Sequence, residues 1–285
     1  MAMKESEQRL PNDADPLVQP RIAAQQPGGL RGSATLTVQT RQAQRLVHGR
    51  APRPSEGKPA IVGLVRFATT MRRIWTAASR DDPWADWKLL QTYEALTESR
   101  EGVRAIHEQV ENKLESMAGV EISIAESLEP VQVPLEFHNP YGYMGAYLIS
   151  DYDQCVRAIL TARHVGLMER DPSEKELYRA GRLVRSAFNV PQGWRFYGVT
   201  RDDVAANNAR AQRALEAMPL PPQDILEGTL RAPVAPDIRN ASARGASDKA
   251  NDAAPEDDAD DEDLPAGERQ EVYAGGEDDD EQARD

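Results

Sequence analysis

The sequence predicts a mainly α-helical chain with short strands, an α+β protein, on three observations. A strictly alternating segment opens the apolar part of the chain at residues 34–40. Apolar stripes at helical spacing follow it, several of them preceded by a capping residue. Both ends of the chain lack any apolar period. The expected organisation is a disordered segment at 1–32, a strand–helix–helix unit at 33–80 and a long helix at 81–118. A small mixed α/β part at 119–230 and a disordered acidic tail at 231–285 complete it.

In the first unit, Ala34, Leu36 and Val38 fall on one face of a strand and Thr35, Thr37 and Gln39 on the other. Thr40 can cap a short helix over 41–48, which Gly49 ends. A proline-rich loop over 50–59 leads to an amphipathic helix at 60–79, with Ile61, Leu64, Val65, Ala68, Met71 and Trp75 on its stripe and Arg66 and Arg73 off it. Asp82 and Pro83 then form a helix start. From Leu89 the positions 93, 96, 100, 103, 107, 110, 114 and 117 step by four and three, a heptad seam that is apolar except at Arg100 and His107. Such a seam fits equally a helix paired with a copy of itself and one arm of a hairpin within the chain.

The second half reads as short strands at 120–124 and 131–137, the latter an edge strand because of Pro134. Asn139, Pro140, Tyr141 and Gly142 have turn chemistry, and 143–149 could return as a strand. Ser150 with Asp153, Ser173 with Glu176 and Thr200 with Asp203 each read as a helix start, the last helix reaching Met218.

Hydrophobic residues make up only 40% of the chain and the mean hydropathy is −0.64. No apolar run approaches the roughly 20 residues of a membrane span, and the first twenty residues lack the apolar core of a signal peptide. One cysteine, Cys155, allows neither an intrachain disulfide nor a cysteine-based zinc site. These features predict a cytoplasmic protein without a membrane partner. No glycine-rich phosphate loop, paired-histidine metal signature or nucleophile elbow is present, so neither catalysis nor a cofactor is expected. Cys155, with apolar neighbours at helical spacing, reads as a buried thiol, although His138 and His164 could approach it.

The net charge of −13 is carried by residues 241–285, and the remainder of the chain is neutral. Within that remainder, residues 31–80 hold ten Lys or Arg against one acid, Glu56, a local charge of +9. Residues 81–130 hold twelve acids and four bases. Charge in blocks points to a partner, to pairing within the chain, or to a solvated tail. A basic unit in the order strand, helix, helix matches a ribbon-helix-helix domain, in which strands from two chains pair into a ribbon that fits the major groove. On that reading Thr35, Thr37 and Gln39 meet base edges, while Arg41, Arg45, Lys58 and Arg66 hold phosphates. The ten-residue loop between the helices departs from the tight turn of such domains. The acidic tail serves solubility, or it competes with DNA as a tethered polyanion.

The segments 34–46, 57–67, 139–148, 160–167 and 191–196 resemble a family of integrating-conjugative-element proteins grouped with the AcaB-like transcriptional regulators of conjugative plasmids. The resemblance runs over residues 30–238. It implies a homodimeric ribbon-helix-helix regulator of transfer genes that binds double-stranded DNA. The alternative is a non-catalytic accessory protein that meets other conjugation proteins through its long helix and its aromatic segment.

Overall fold

In the computed structural model, residues 32–116 and 119–239 are described. The expectations for residues 1–31 and 240–285 lie outside these, as does Met117 of the seam. Strand β1 (Ala34–Val38) and helix α1 (Arg41–His48) are followed by α2 (Leu64–Ala78) and α3 (Pro83–Glu115). Strand β2 (Val131–Leu135) precedes α4 (Pro140–His164) and α5 (Arg170–Asn189). Three short helices, α6 (Arg201–Ala205), α7 (Ala209–Ala217) and α8 (Gln223–Leu226), end the fold. No helix of the described residues is long and apolar enough to cross a membrane.

Local chemistry fixes most boundaries. The Thr40 hydroxyl accepts the Ala43 N–H at the start of α1. Asp82 does the same for Ala85, with Pro83 in the first turn of α3. Thr200 and Asp203 form a reciprocal capping box on α6.

The core gathers around α4. Its residues Tyr141, Leu148, Ile149, Cys155, Val156 and Ile159 are buried against α3, α5, α2 and α1. The seam of α3 faces this core, with Leu89, Leu96, Val103, Val110 and Leu114 all buried within the chain. The Tyr141 hydroxyl donates to the Leu89 carbonyl at 3.0 Å, and Arg100 pairs with Asp151 at 2.9 Å. These contacts advance together, so α3 and α4 run parallel and residues 116–139 return the chain. Phe67 of α2 stacks on Phe188 of α5 at 4.7 Å.

Several expectations are corrected. Residues 143–149 form no strand, because Asn139 accepts the Tyr141 and Gly142 N–H groups and starts α4 there. Ser150 and Asp153 therefore lie inside α4. Gly145 of that helix lets Leu64 and Phe67 of α2 approach closely. Residues 120–124 form no strand, and Ile122 and Ile124 are half-buried on the core. Helix α5 begins at Arg170, and Ser173 bonds back to the Arg170 carbonyl. The last helix divides because Asn207 adopts φ 47° and Asn208 starts α7. On α2 the buried stripe is Leu64, Phe67, Met71 and Ile74, while Val65 faces solvent.

Residues 231–239, expected in the tail, pack on the body. Arg231 makes two bonds to the carboxylate of Asp86, Ala232 is buried, and the Arg239 N–H donates to the Ser79 carbonyl. Asp86 is fully buried and also takes the Arg201 guanidinium at 2.7 Å. Arg201 further pairs with Asp81, whose φ of 70° is rare for a residue with a side chain. This hub fastens α6 and the segment after α8 to the start of α3. Trp84 adds an apolar anchor, packed with Val199, Ala214 and Met218 and bonded to the Pro219 carbonyl at 2.8 Å.

Candidate nucleic-acid interface

Strand β1 alternates as its sequence requires, with Leu36 and Val38 buried and Thr35 and Thr37 exposed. Its partner is β2 of the same chain, antiparallel, with Thr35 opposite Pro134 and Thr37 opposite Gln132. The outer face of this ribbon is therefore Thr35, Thr37, Gln132 and Pro134, all exposed. The Thr37 hydroxyl donates to the Gln132 side-chain oxygen at 3.0 Å. The inner face, with Leu36, Val38 and Leu135 buried, rests on the core. Among the described residues no strand lies on the other edge of β1.

The turn from β1 into α1 is held by one buried carboxylate. Asp153 of α4 accepts the backbone N–H groups of Gln39 and Thr40, each at 2.9 Å, and the Thr40 hydroxyl at 2.6 Å. A carboxylate that satisfies three donors fixes both the strand end and the first turn of the helix. Gln39 falls just beyond the strand, and its side-chain oxygen accepts the Ser127 N–H at 2.9 Å. It thus ties the return segment to the end of the ribbon, and with Thr35 and Thr37 it borders a shallow groove against α4.

On α1, Ala43, Leu46 and Val47 are buried, which turns Arg41, Arg45 and His48 to solvent along one stripe. Arg41 also borders a shallow groove with Gln44, Leu128 and Glu129 at the end of the ribbon. Arg66 is exposed on α2, a helix that has no acidic residue and also exposes Arg72 and Arg73. Lys58 is half-buried in the loop between the helices, its backbone paired with Arg53. That loop is a bridged excursion, closed by Arg50 N–H to the Ile61 carbonyl at 2.9 Å and the reverse bond at 2.8 Å. Its closure brings Gly49 against Gly63. A methyl group on either glycine would run into the backbone near the other, so the helices meet closely despite the loop's length.

The exposed ribbon and the basic stripe beside it are chemically suited to base edges and phosphates respectively. The structure brings Thr35, Thr37, Arg41 and Arg45 onto consecutive elements, while Lys58 and Arg66 stand on the loop and on α2. A family model described as "Transcriptional regulator AcaB" matches residues 26–239. The chain belongs to the AcaB family of transcriptional regulators. A crystal structure described as selenomethionine-containing AcaB from uropathogenic E. coli is also similar, with 15% identity and a TM-score of 0.46 over 70% of this chain and 98% of that one. Comparison with curated proteins gives no match.

The AcaB match takes in every described element and stops just short of the acidic stretch at 241–285. Sequence reading missed Gln132, Pro134 and Asp153. The alternation of 131–137 hinted at the first two, but nothing local joins β2 to a strand 95 residues earlier. Cys155 lies fully buried in α4, and burial pushes its thiol up to about 12, which leaves no thiolate for nucleophilic work at neutral pH. His138 and His164 are exposed.

Proposed function

We propose that this AcaB-family chain regulates transcription on a conjugative element by binding double-stranded DNA, with the β1–β2 ribbon entering the major groove. The carrying observation is the exposed ribbon face, Thr35, Thr37, Gln132 and Pro134, beside an α1 stripe of Arg41 and Arg45 without an acid on β1, α1 or α2. Two kinds of group support this reading: neutral hydrogen-bonding side chains for base edges on the ribbon, and guanidinium groups for phosphates on α1. As a homodimer the protein offers one such two-stranded ribbon to each of two half-sites. The close Gly49–Gly63 junction supports this reading, since it brings the end of α1 against the start of α2 despite the long loop.

The accessory-protein reading has less support: the apolar seam of α3 and Tyr141 are spent on the chain's own core, although Tyr147 is exposed.

Titration of the full chain into fluorescent duplexes from its own element, at several salt concentrations, tests the proposal. Affinity should fall steeply with salt, with a log–log slope near −0.9 for each phosphate neutralised, on the order of four or more in a dimer. Binding without salt dependence, or none at all, would falsify it.

A further inference from the structure

We infer that Thr37 and Gln132 act as one base-reading unit that selects adenine, a refinement that rests on the DNA-binding reading above. The two residues face each other across the ribbon and both are exposed on its outer side. Their mutual bond, Thr37 hydroxyl to Gln132 oxygen at 3.0 Å, uses the Thr37 proton internally. The outward groups that remain are the Thr37 oxygen as acceptor and the Gln132 amide N–H as donor. Adenine offers the complement in the major groove, a donor at N6 beside an acceptor at N7. Guanine offers two acceptors there, and the Thr37 oxygen, its proton already committed, would meet one of them unfavourably. If the Gln132 amide is turned over, its N–H bonds Thr37 and its oxygen faces out, so the pair still shows one donor beside one acceptor.

Reach is consistent with this role. Neighbouring strands lie about 4.8 Å apart and the major groove is about 12 Å wide, so the two strands β1 and β2 fit it together. The bond to Thr37 draws the Gln132 amide towards β1, and so towards the centre of the groove. Gln39, whose side-chain oxygen accepts the Ser127 N–H beyond the strand end, stands outside this cross-strand pair.

The full chain and its Gln132→Ala, Gln132→Glu and Thr37→Val variants are compared by selection from a randomised duplex library, with salt titrations on the selected duplex. The side chains are exposed, and circular dichroism checks that each variant folds. The unaltered chain should require adenine at one position in each half-site. Gln132→Ala should lower that preference at least about fivefold, leave the other positions unchanged and keep the salt slope. Thr37→Val should weaken the same position. Gln132→Glu, which can accept but no longer donate, should move the preference towards cytosine, whose N4 group is a donor. An unchanged preference in Gln132→Ala overturns the inference while leaving DNA binding intact. Loss of all binding by a folded Gln132→Ala also overturns it, since a base contact sets preference more than total affinity. If the unaltered chain selects no sequence, the base-reading proposal falls, and this refinement with it.

Discussion

Two sets of arginines divide the molecule. Arg41 and Arg45 stand exposed on α1, a helix without acids, whereas Arg201 and Arg231 converge on Asp86, a carboxylate with no exposure at all. In the first set no ion pair forms among the described residues. In the second the charge is consumed in holding the C-terminal segment to α3. A charge block in the sequence cannot distinguish these fates, because only the fold decides which side chains find a partner.

The contrast is open to mutation. Asp86→Ala leaves two guanidinium groups without their carboxylate in a partly buried site and should cost about 3–5 kcal/mol, read as a lower urea midpoint. A loss within surface-pair size, below about 1 kcal/mol, would place the hub with ordinary exposed ion pairs.

The neighbouring Asp82 gives the pH test. Burial lifts its carboxyl from 3.8 to about 7, outweighing the Ala85 and Trp84 N–H groups that favour its charge. The folded state then holds a proton that the unfolded chain has lost, so stability falls as pH rises between these values, by roughly 1.4 kcal/mol per unit at most. Asp82→Asn keeps a capping oxygen without the charge. Its stability relative to the unaltered protein should rise steadily from about pH 4 to pH 7 and then level off. A difference independent of pH would show that Asp82 stays ionised in the fold.

At the other end of the scale, Arg41→Ala and Arg45→Ala should change unfolding free energy by less than about 0.5 kcal/mol. On the DNA-binding reading each should reduce the salt slope by about one without altering sequence preference. A large stability loss would move these arginines into the structural set.

What was legible in the sequence was mostly local. Thr40, Asp82 with Pro83, and Thr200 with Asp203 marked true helix starts, because a capping bond spans only two or three residues. The alternation of β1 likewise showed which face would be buried. Asn139 with Pro140 failed as a guide because the same pair suits a turn and a helix start, and only packing of α4 against four other helices decides between them. The seam on α3 was visible, but its partners α4 and α5 were not, since a stripe does not name what covers it. The reading face was half legible. Thr35 and Thr37 came from alternation, whereas Gln132 arrives from a distant strand.

The contact of Gly49 with Gly63 makes the intervening loop a handle instead of a hinge. Its two ends are already tied together by the reciprocal bonds of Arg50 and Ile61, so its length is decoupled from the placement of the helices. Doubling such a closed loop adds only about 0.6 kcal/mol of closure entropy. Residues 54–57, the tip beyond the Arg53–Lys58 bridge, are therefore a place where a label, a purification epitope or a natural insertion can be accommodated with little disturbance to the ribbon.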